Sequence, residues 1–238
     1  IAETPAPNEG GPDLPGRLAL VRASIAEAAR ASGRSVDELT LIVVTKFHGI
    51  PLLRELAALG VTDFGESRHQ EAREKAAELD GLGITWHFIG QLQSKKARQV
   101  AEYASVIHSF DRASLADLLA SGERAAEGRA IGCFVQVNLT ADPDRGGVLP
   151  QDAVALAEHI GTLPGLDLRG VMGVAPNDGD PRRAFAELRA VSDDVRRSFP
   201  RASALSAGMS NDFAEAIAEG ATHLRIGSAI TGIRPARG

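Results

Sequence analysis

A chain of 238 residues, 44% of them hydrophobic and 24% charged, has the make-up of a globular protein long enough to build a full core. Its formal net charge of −5 leaves no basic excess to neutralise phosphates, which argues against a general nucleic-acid binder. No apolar run reaches the length that spans a bilayer, and the single cysteine, Cys133, supports neither a disulfide framework nor a thiolate metal site.

Residues 1–16 are rich in Pro, Gly and Glu and lack a basic, apolar signal pattern. They are expected to form a disordered leader ahead of one domain over 17–238, and the expected compartment is the cytoplasm. Leu18, Leu20, Val21, Ile25 and Ala28 then fall at helical spacing in a segment from Arg17 to Ser32, closed by Gly33. Leu39 to Thr45 is a run of aliphatic and β-branched residues, the pattern of a strand buried on both faces in a parallel sheet. A helix from Pro51 to Leu59, a short strand from Val61 to Phe64 and a charged helix from Arg68 to Leu79 follow.

Ile84 to Ile89 is the third strand, Lys95 to Tyr103 a helix and Ser105 to Phe110 the fourth strand. Asp111 is placed to cap a helix running to about Gly128. Ala130 to Leu139 and Leu166 to Val174 are the fifth and sixth strands, with a helix from Pro150 to Leu163 between them. A long amphipathic helix, Pro181 to Phe199, precedes the short strand Ala204 to Ser206; the helix Asp212 to Glu219 leads to the last strand, His223 to Gly227. Eight strand-like segments alternating with helices point to a (β/α)8 barrel with an extra N-terminal helix. An open doubly wound sheet is the competing architecture.

The strand at Leu39 runs directly into Lys46, at the strand end where barrels and open sheets place ligands. A desolvated amine there has a lowered pKa and can attack an aldehyde; a lysine that reaches out to solvent is the plainer alternative. The last two strands end in Ser206-Ala-Gly208-Met209-Ser210-Asn211 and Arg225-Ile-Gly227-Ser228, where barrels gather backbone N–H groups and hydroxyls around a phosphate. Arg225 is either part of a salt bridge at an edge or a permanently charged group facing the bowl. Glu66 is either a bowl-facing acid or a charge at a helix start. The six histidines show no metal-ligand spacing, and each is expected to be structural, although His87 and His108 lie near strand ends. Cys133 lies in an apolar run and is expected to be a buried small hydrophobe.

Several stretches together resemble the pyridoxal phosphate homeostasis protein family. They are Val44-Thr-Lys46, Phe64-Gly-Glu66, Trp86-His-Phe-Ile-Gly90 with Leu92-Gln93 and Lys96, Gln136-Val-Asn138, Arg169-Gly-Val-Met172, Gly208-Met209-Ser210 and Leu224-Arg-Ile-Gly-Ser228, spread from about Leu41 to Gly232. The resemblance implies the barrel of the alanine racemase N-terminal domain, with pyridoxal 5′-phosphate (PLP) as cofactor. It implies that Lys46 forms a Schiff base with the aldehyde, that Ser210, Gly227 and Ser228 hold the phosphate, and that Arg225 approaches the pyridine nitrogen. A guanidinium there keeps that nitrogen unprotonated and the ring a poor electron sink. Met209 and Ser67 join the candidate cofactor-binding residues. The chain departs from the family pattern at Ser67 and at Lys95, where asparagines are usual, and at Thr231, often an aromatic position.

Racemases of the related class take a second acid/base, a tyrosine, from an additional β-domain, and here the sole tyrosine is Tyr103 in the helix after the third strand. The expected function is therefore holding PLP and passing it on, without efficient catalysis, with PLP-dependent apo-enzymes as recipients and a monomer as the expected state. A slow amino acid racemase or lyase using the same lysine is the alternative. A cofactor-free Schiff-base aldolase acting on a sugar phosphate is the third possibility.

Overall fold

The protein is described from a computed structural model that covers residues 11–122, 128–140 and 142–232. Eight parallel strands close into a barrel in sequence order: β1 (Thr40–Val44), β2 (Asp63–Glu66), β3 (Thr85–Phe88), β4 (Val106–Phe110), β5 (Ile131–Val137), β6 (Leu166–Gly173), β7 (Ala204–Ser206) and β8 (His223–Ile226). Closure comes from β1 pairing with β8, in the register Ile42↔Arg225 and Val43↔Ile226. The barrel is thus the architecture realised, and the open sheet is excluded.

Helices α1 (Leu14–Ala31), α2 (Ile50–Ala58), α3 (His69–Glu78), α4 (Ser94–Tyr103), α5 (Ala113–Ala120), α6 (Ala153–Gly161), α7 (Pro181–Ser198), α8 (Phe213–Ala218) and α9 (Ser228–Thr231) surround the strands. Alternation along each strand divides the core in two. Outward residues such as Val43, Phe64, Phe88, Ile107 and Val135 join the helices' apolar stripes in one large cluster. Inside the barrel the apolar part is small, with Val106, Phe134 and Met172 packed against Val174 and Ala204. Much of the remaining interior is polar, with His87, His108, Ser206 and Arg225 buried there.

The extra helix starts at Leu14, three residues before the expected Arg17. Asp13 accepts a hydrogen bond from the Gly16 N–H at 2.9 Å, and Pro15 occupies the first turn, where a missing N–H costs nothing. Leu14, Leu18, Val21, Ile25 and Ala29 form its buried stripe. Arg17 donates to the Ile230 carbonyl at 2.7 Å, and Arg34 donates to Ile217 and Ala221 carbonyls at 3.0 and 2.7 Å. These contacts tie the N-terminal helix and the turn after it to the last two βα units. The first ten residues of the expected leader lie outside the described residues.

Two further elements differ from expectation. The strand expected at Val61 to Phe64 begins two residues later, because its ladder with β3 runs from Asp63↔Thr85 to Glu66↔Phe88 and takes Gly65 and Glu66 into the sheet. The helix expected to start on Asp111 has Arg112 at its N-cap and begins at Ala113. The Asp111 carboxylate pairs with the Arg112 guanidinium and so is not available as a cap; residues 123–127 of that expected helix lie outside the described residues. Cys133 is buried, its thiol donating to the Ile131 carbonyl, and burial pushes its pKa up. No helix among the described residues is long and apolar enough to cross a membrane.

Candidate functional site

The carboxyl ends of parallel strands meet at one mouth, and there a cavity of about 590 Å³ opens. Lys46, Ser67, Met209, Ser210, Arg225, Gly227 and Ser228 all line it, so the structure brings the seven candidate cofactor-binding residues to one cavity. Lys95 is exposed in the first turn of α4 and does not line the cavity, whereas Thr231 does.

Lys46 sits between two residues that are each held by side chains from the next βα unit. Thr45 Oγ1 donates to Glu66 Oε1 at 2.7 Å. Lys75 Nζ, on α3, donates to the Thr45 carbonyl at 2.9 Å and to Glu66 Oε1 at 2.7 Å. On the other side of Lys46, the Phe47 N–H donates to Glu71 Oε2 at 3.0 Å, and the Arg68 guanidinium lies 5.3 Å from the Phe47 ring centre. Phe47 has φ of 72°, in the left-handed region that bulky residues avoid. A strained backbone persists only where its surroundings over-determine it, and here the clamp on both flanks does so. Glu66 is thus neither of the two expected things. It points outward from the barrel between β2 and α3, with Lys75 as its partner; burial raises its pKa, against the pull of Lys75.

The adjoining wall comes from β7 and from β8, which pairs with β1. Gly208 has φ of +91°, and a Cβ there would stand 2.9 Å from Ala216 Cβ and 3.0 Å from Phe213 Cα, so the turn demands glycine. The Met209 N–H donates to Asp212 Oδ1 at 2.6 Å, and the Ala229 N–H donates to Ser210 Oγ at 3.4 Å. The second bond joins the two loops into one rim of hydroxyls and amides. A Cβ on Gly227 would contact Val44 at 3.4 Å, which brings this rim against the end of β1, beside Lys46.

Arg225 is 4% exposed and lies inside the barrel, not on an edge. Its guanidinium donates to Ser206 Oγ and to the Gly173 carbonyl, the latter at 2.9 Å. Burial lowers its pKa to about 10, so it stays cationic at neutral pH. Behind it runs a chain of buried polar groups. His108 Nδ1 is 2.9 Å from Ser206 Oγ, His108 Nε2 is 2.9 Å from His87 Nδ1, and His87 Nε2 is 2.9 Å from Asp63 Oδ1. The two histidines near strand ends, expected to be structural, are joined to each other and to a carboxylate. Among the described residues no group of three metal-ligating side chains forms a metal site.

Sequence reasoning missed His48 and Asn177, which line the cavity, and the clamp made by Lys75 and Glu71. Lys75 stands in a helix whose charges read as a solvated face, yet it is 5% exposed. The i, i+4 spacing of Glu71 and Lys75 was the available signal. Tyr103 stacks against His69, with ring centres 6.0 Å apart, and does not line the cavity.

The family model for the alanine racemase N-terminal domain matches residues 20–235. The pyridoxal phosphate homeostasis protein of Pseudomonas aeruginosa is 41% identical over 220 residues, which cover 91% of this chain and 94% of that protein. The structure of PipY from Synechococcus elongatus with PLP bound superposes with a TM-score of 0.81 at 36% identity, covering 92% of this chain and all of that one. Alanine racemase from Corynebacterium glutamicum shares the fold, with a TM-score of 0.70 at 15% identity over 93% of this chain and 63% of that one. By sequence and by fold, the chain belongs to the pyridoxal phosphate homeostasis protein family, built on the barrel of the alanine racemase N-terminal domain.

Proposed function

We propose that this chain binds PLP at the barrel mouth, anchors it covalently on Lys46, and serves PLP homeostasis by holding the cofactor and releasing it to apo-enzymes. The observation that carries this function is the convergence on one cavity of an amine, a buried guanidinium and a rim of hydroxyls and amides. Those are the groups that an aldehyde, a pyridine nitrogen and a phosphate require. When bound, PLP supplies an aldehyde that condenses with an amine and loses water. Lys46 offers that amine from a backbone fixed on both flanks. Ser210, Gly227 and Ser228 bind the phosphate end, Met209 and Ser67 border the ring, and Arg225 faces the pyridine nitrogen with a charge it keeps. Because the guanidinium keeps its proton, it opposes protonation of that nitrogen and holds back carbanion chemistry.

Support for a carrier with little catalysis comes from Tyr103, which lies outside the cavity with its hydroxyl buried. The proposed state is a monomer, and the proposed compartment is the cytoplasm. A slow racemase or lyase draws on one observation, His48, which borders the same cavity and is 8% exposed. Titration of the purified protein with PLP, followed by visible absorbance, tests the binding. Wild type is expected to develop the absorbance of a lysine-linked chromophore, and Lys46→Ala is expected to lose it. An unchanged spectrum in Lys46→Ala contradicts the anchor. Robust turnover of L- or D-amino acids that His48→Gln abolishes would favour the enzyme over the carrier.

A further inference from the structure

We propose that Asp63, His87, His108 and Ser206 form one directional hydrogen-bonded chain through the barrel interior, and that they are positioning residues for Arg225 at the cavity. This rests on the cofactor function above and adds what orients the group facing the pyridine nitrogen.

The direction follows from donor and acceptor counting. A guanidinium has donors and no acceptor, so Ser206 Oγ accepts from Arg225. With the Asp63 carboxylate an acceptor at the far end and both rings neutral, the Ser206 proton is donated to His108 Nδ1, 2.9 Å away. A ring that accepts at Nδ1 carries its proton on Nε2, which donates to His87 Nδ1 at 2.9 Å. His87 in turn carries its proton on Nε2 and donates to the Asp63 carboxylate at 2.9 Å. One assignment satisfies all four contacts with both rings neutral, and it runs from a cation to an anion. Burial holds His108 well below the usual histidine range, and hydrogen bonds from His87 and Thr62 outweigh burial to keep Asp63 below the usual carboxylate range.

The chain is also held sideways. The His108 ring stacks on Phe134, with centres 4.4 Å apart and planes 12° from parallel. The second arm of Arg225 is tied to the Gly173 carbonyl, and Asp212 adds an attractive field from the mouth. Ser206 alone would be a rotor; with His108 accepting its proton, its lone pair is aimed at Arg225. Fixing a contacting group by the hydrogen bond behind it is how supporting residues tune a ligand site.

The test uses the full chain and its His108→Phe and Asp63→Asn variants. Three quantities are measured: 15N NMR shifts of the histidine rings, the PLP dissociation constant, and the pH dependence of the bound chromophore's absorbance. Phe at 108 keeps the stacking and removes both hydrogen bonds. Asn at 63 can donate as well as accept, which removes the chain's direction. The expected results are Nε2-protonated His87 and His108 in wild type and about tenfold weaker PLP binding in His108→Phe, the low end for supporting partners. The chromophore's pH profile is expected to be displaced in both variants, more in His108→Phe. Should His108→Phe fail to fold, Asp63→Asn, altered at the half-buried end, decides. His108 protonated at Nδ1 in wild type, or variants with wild-type affinity and pH profile, would overturn the proposal, even if their melting temperatures fall. A wild-type chain that takes up no PLP overturns the function of the cavity itself.

Discussion

Lys75 and Glu66 form a buried ion pair at 2.7 Å, exposed by 6% and 1%. Breaking such a pair by removing one partner leaves an uncompensated charge and costs about 3–5 kcal/mol. Lys75→Met is expected to destabilise the fold by that amount in urea denaturation, and to weaken PLP binding by releasing the Thr45 carbonyl beside Lys46. A stability within about 1 kcal/mol of wild type, small for an uncompensated buried charge, would show that the pair does not hold the Lys46 backbone. Gly208→Ala puts a methyl group into Ala216 and Phe213 at a left-handed turn. It is expected to cost about 1–3 kcal/mol and to weaken affinity for inorganic phosphate as well as for PLP, measured by calorimetry.

At the level of strands and helices, the barrel interior makes stability depend on pH. His223 sits on β8 beside Phe134, and burial lowers its pKa from 6.5 to about 4. The unfolded chain takes up this proton first, so the contribution is fully present above pH 6.5 and is lost as the pH falls toward 4. At ~1.4 kcal/mol per pH unit this amounts to about 3–4 kcal/mol, and His108, held low by burial, adds a loss of the same sign. Denaturation midpoints measured across that window are expected to fall with pH, and His223→Gln is expected to flatten the slope. A slope unchanged by the substitution would place the acid sensitivity elsewhere.

The strand ends carrying Lys46, Ser210, Arg225, Gly227 and Ser228 were legible in the sequence because a parallel barrel gathers all its carboxyl ends at one mouth. The polar interior was not. His108 and Ser206 are 98 residues apart, and His87 and His108 are 21 apart; they meet through the barrel's closure and stagger, which local periodicity does not encode. Lys75 hid for a related reason, since the lysine that holds Thr45 looks in sequence like any other charge on a polar helix. Asp111 shows the converse: the residue type suited a cap, but its arginine neighbour claimed the carboxylate.

Across the whole molecule, one arrangement recurs. Groups that touch the cavity stand on the mouth, and groups that aim them are buried one layer away, outside the barrel for Lys46 and inside it for Arg225. The N-terminal helix completes the frame by fastening to the last βα unit, where Arg17 meets the Ile230 carbonyl. That fastening holds the rim carrying Ser228 against the strand leading to Lys46. Borohydride reduction of the PLP-loaded protein, followed by proteolysis and peptide mass mapping, tests the assignment of the cavity most directly. The pyridoxyl group is expected on the peptide containing Lys46 and on no other; attachment at Lys75, Lys95 or Lys96, or no attachment at all, would contradict it.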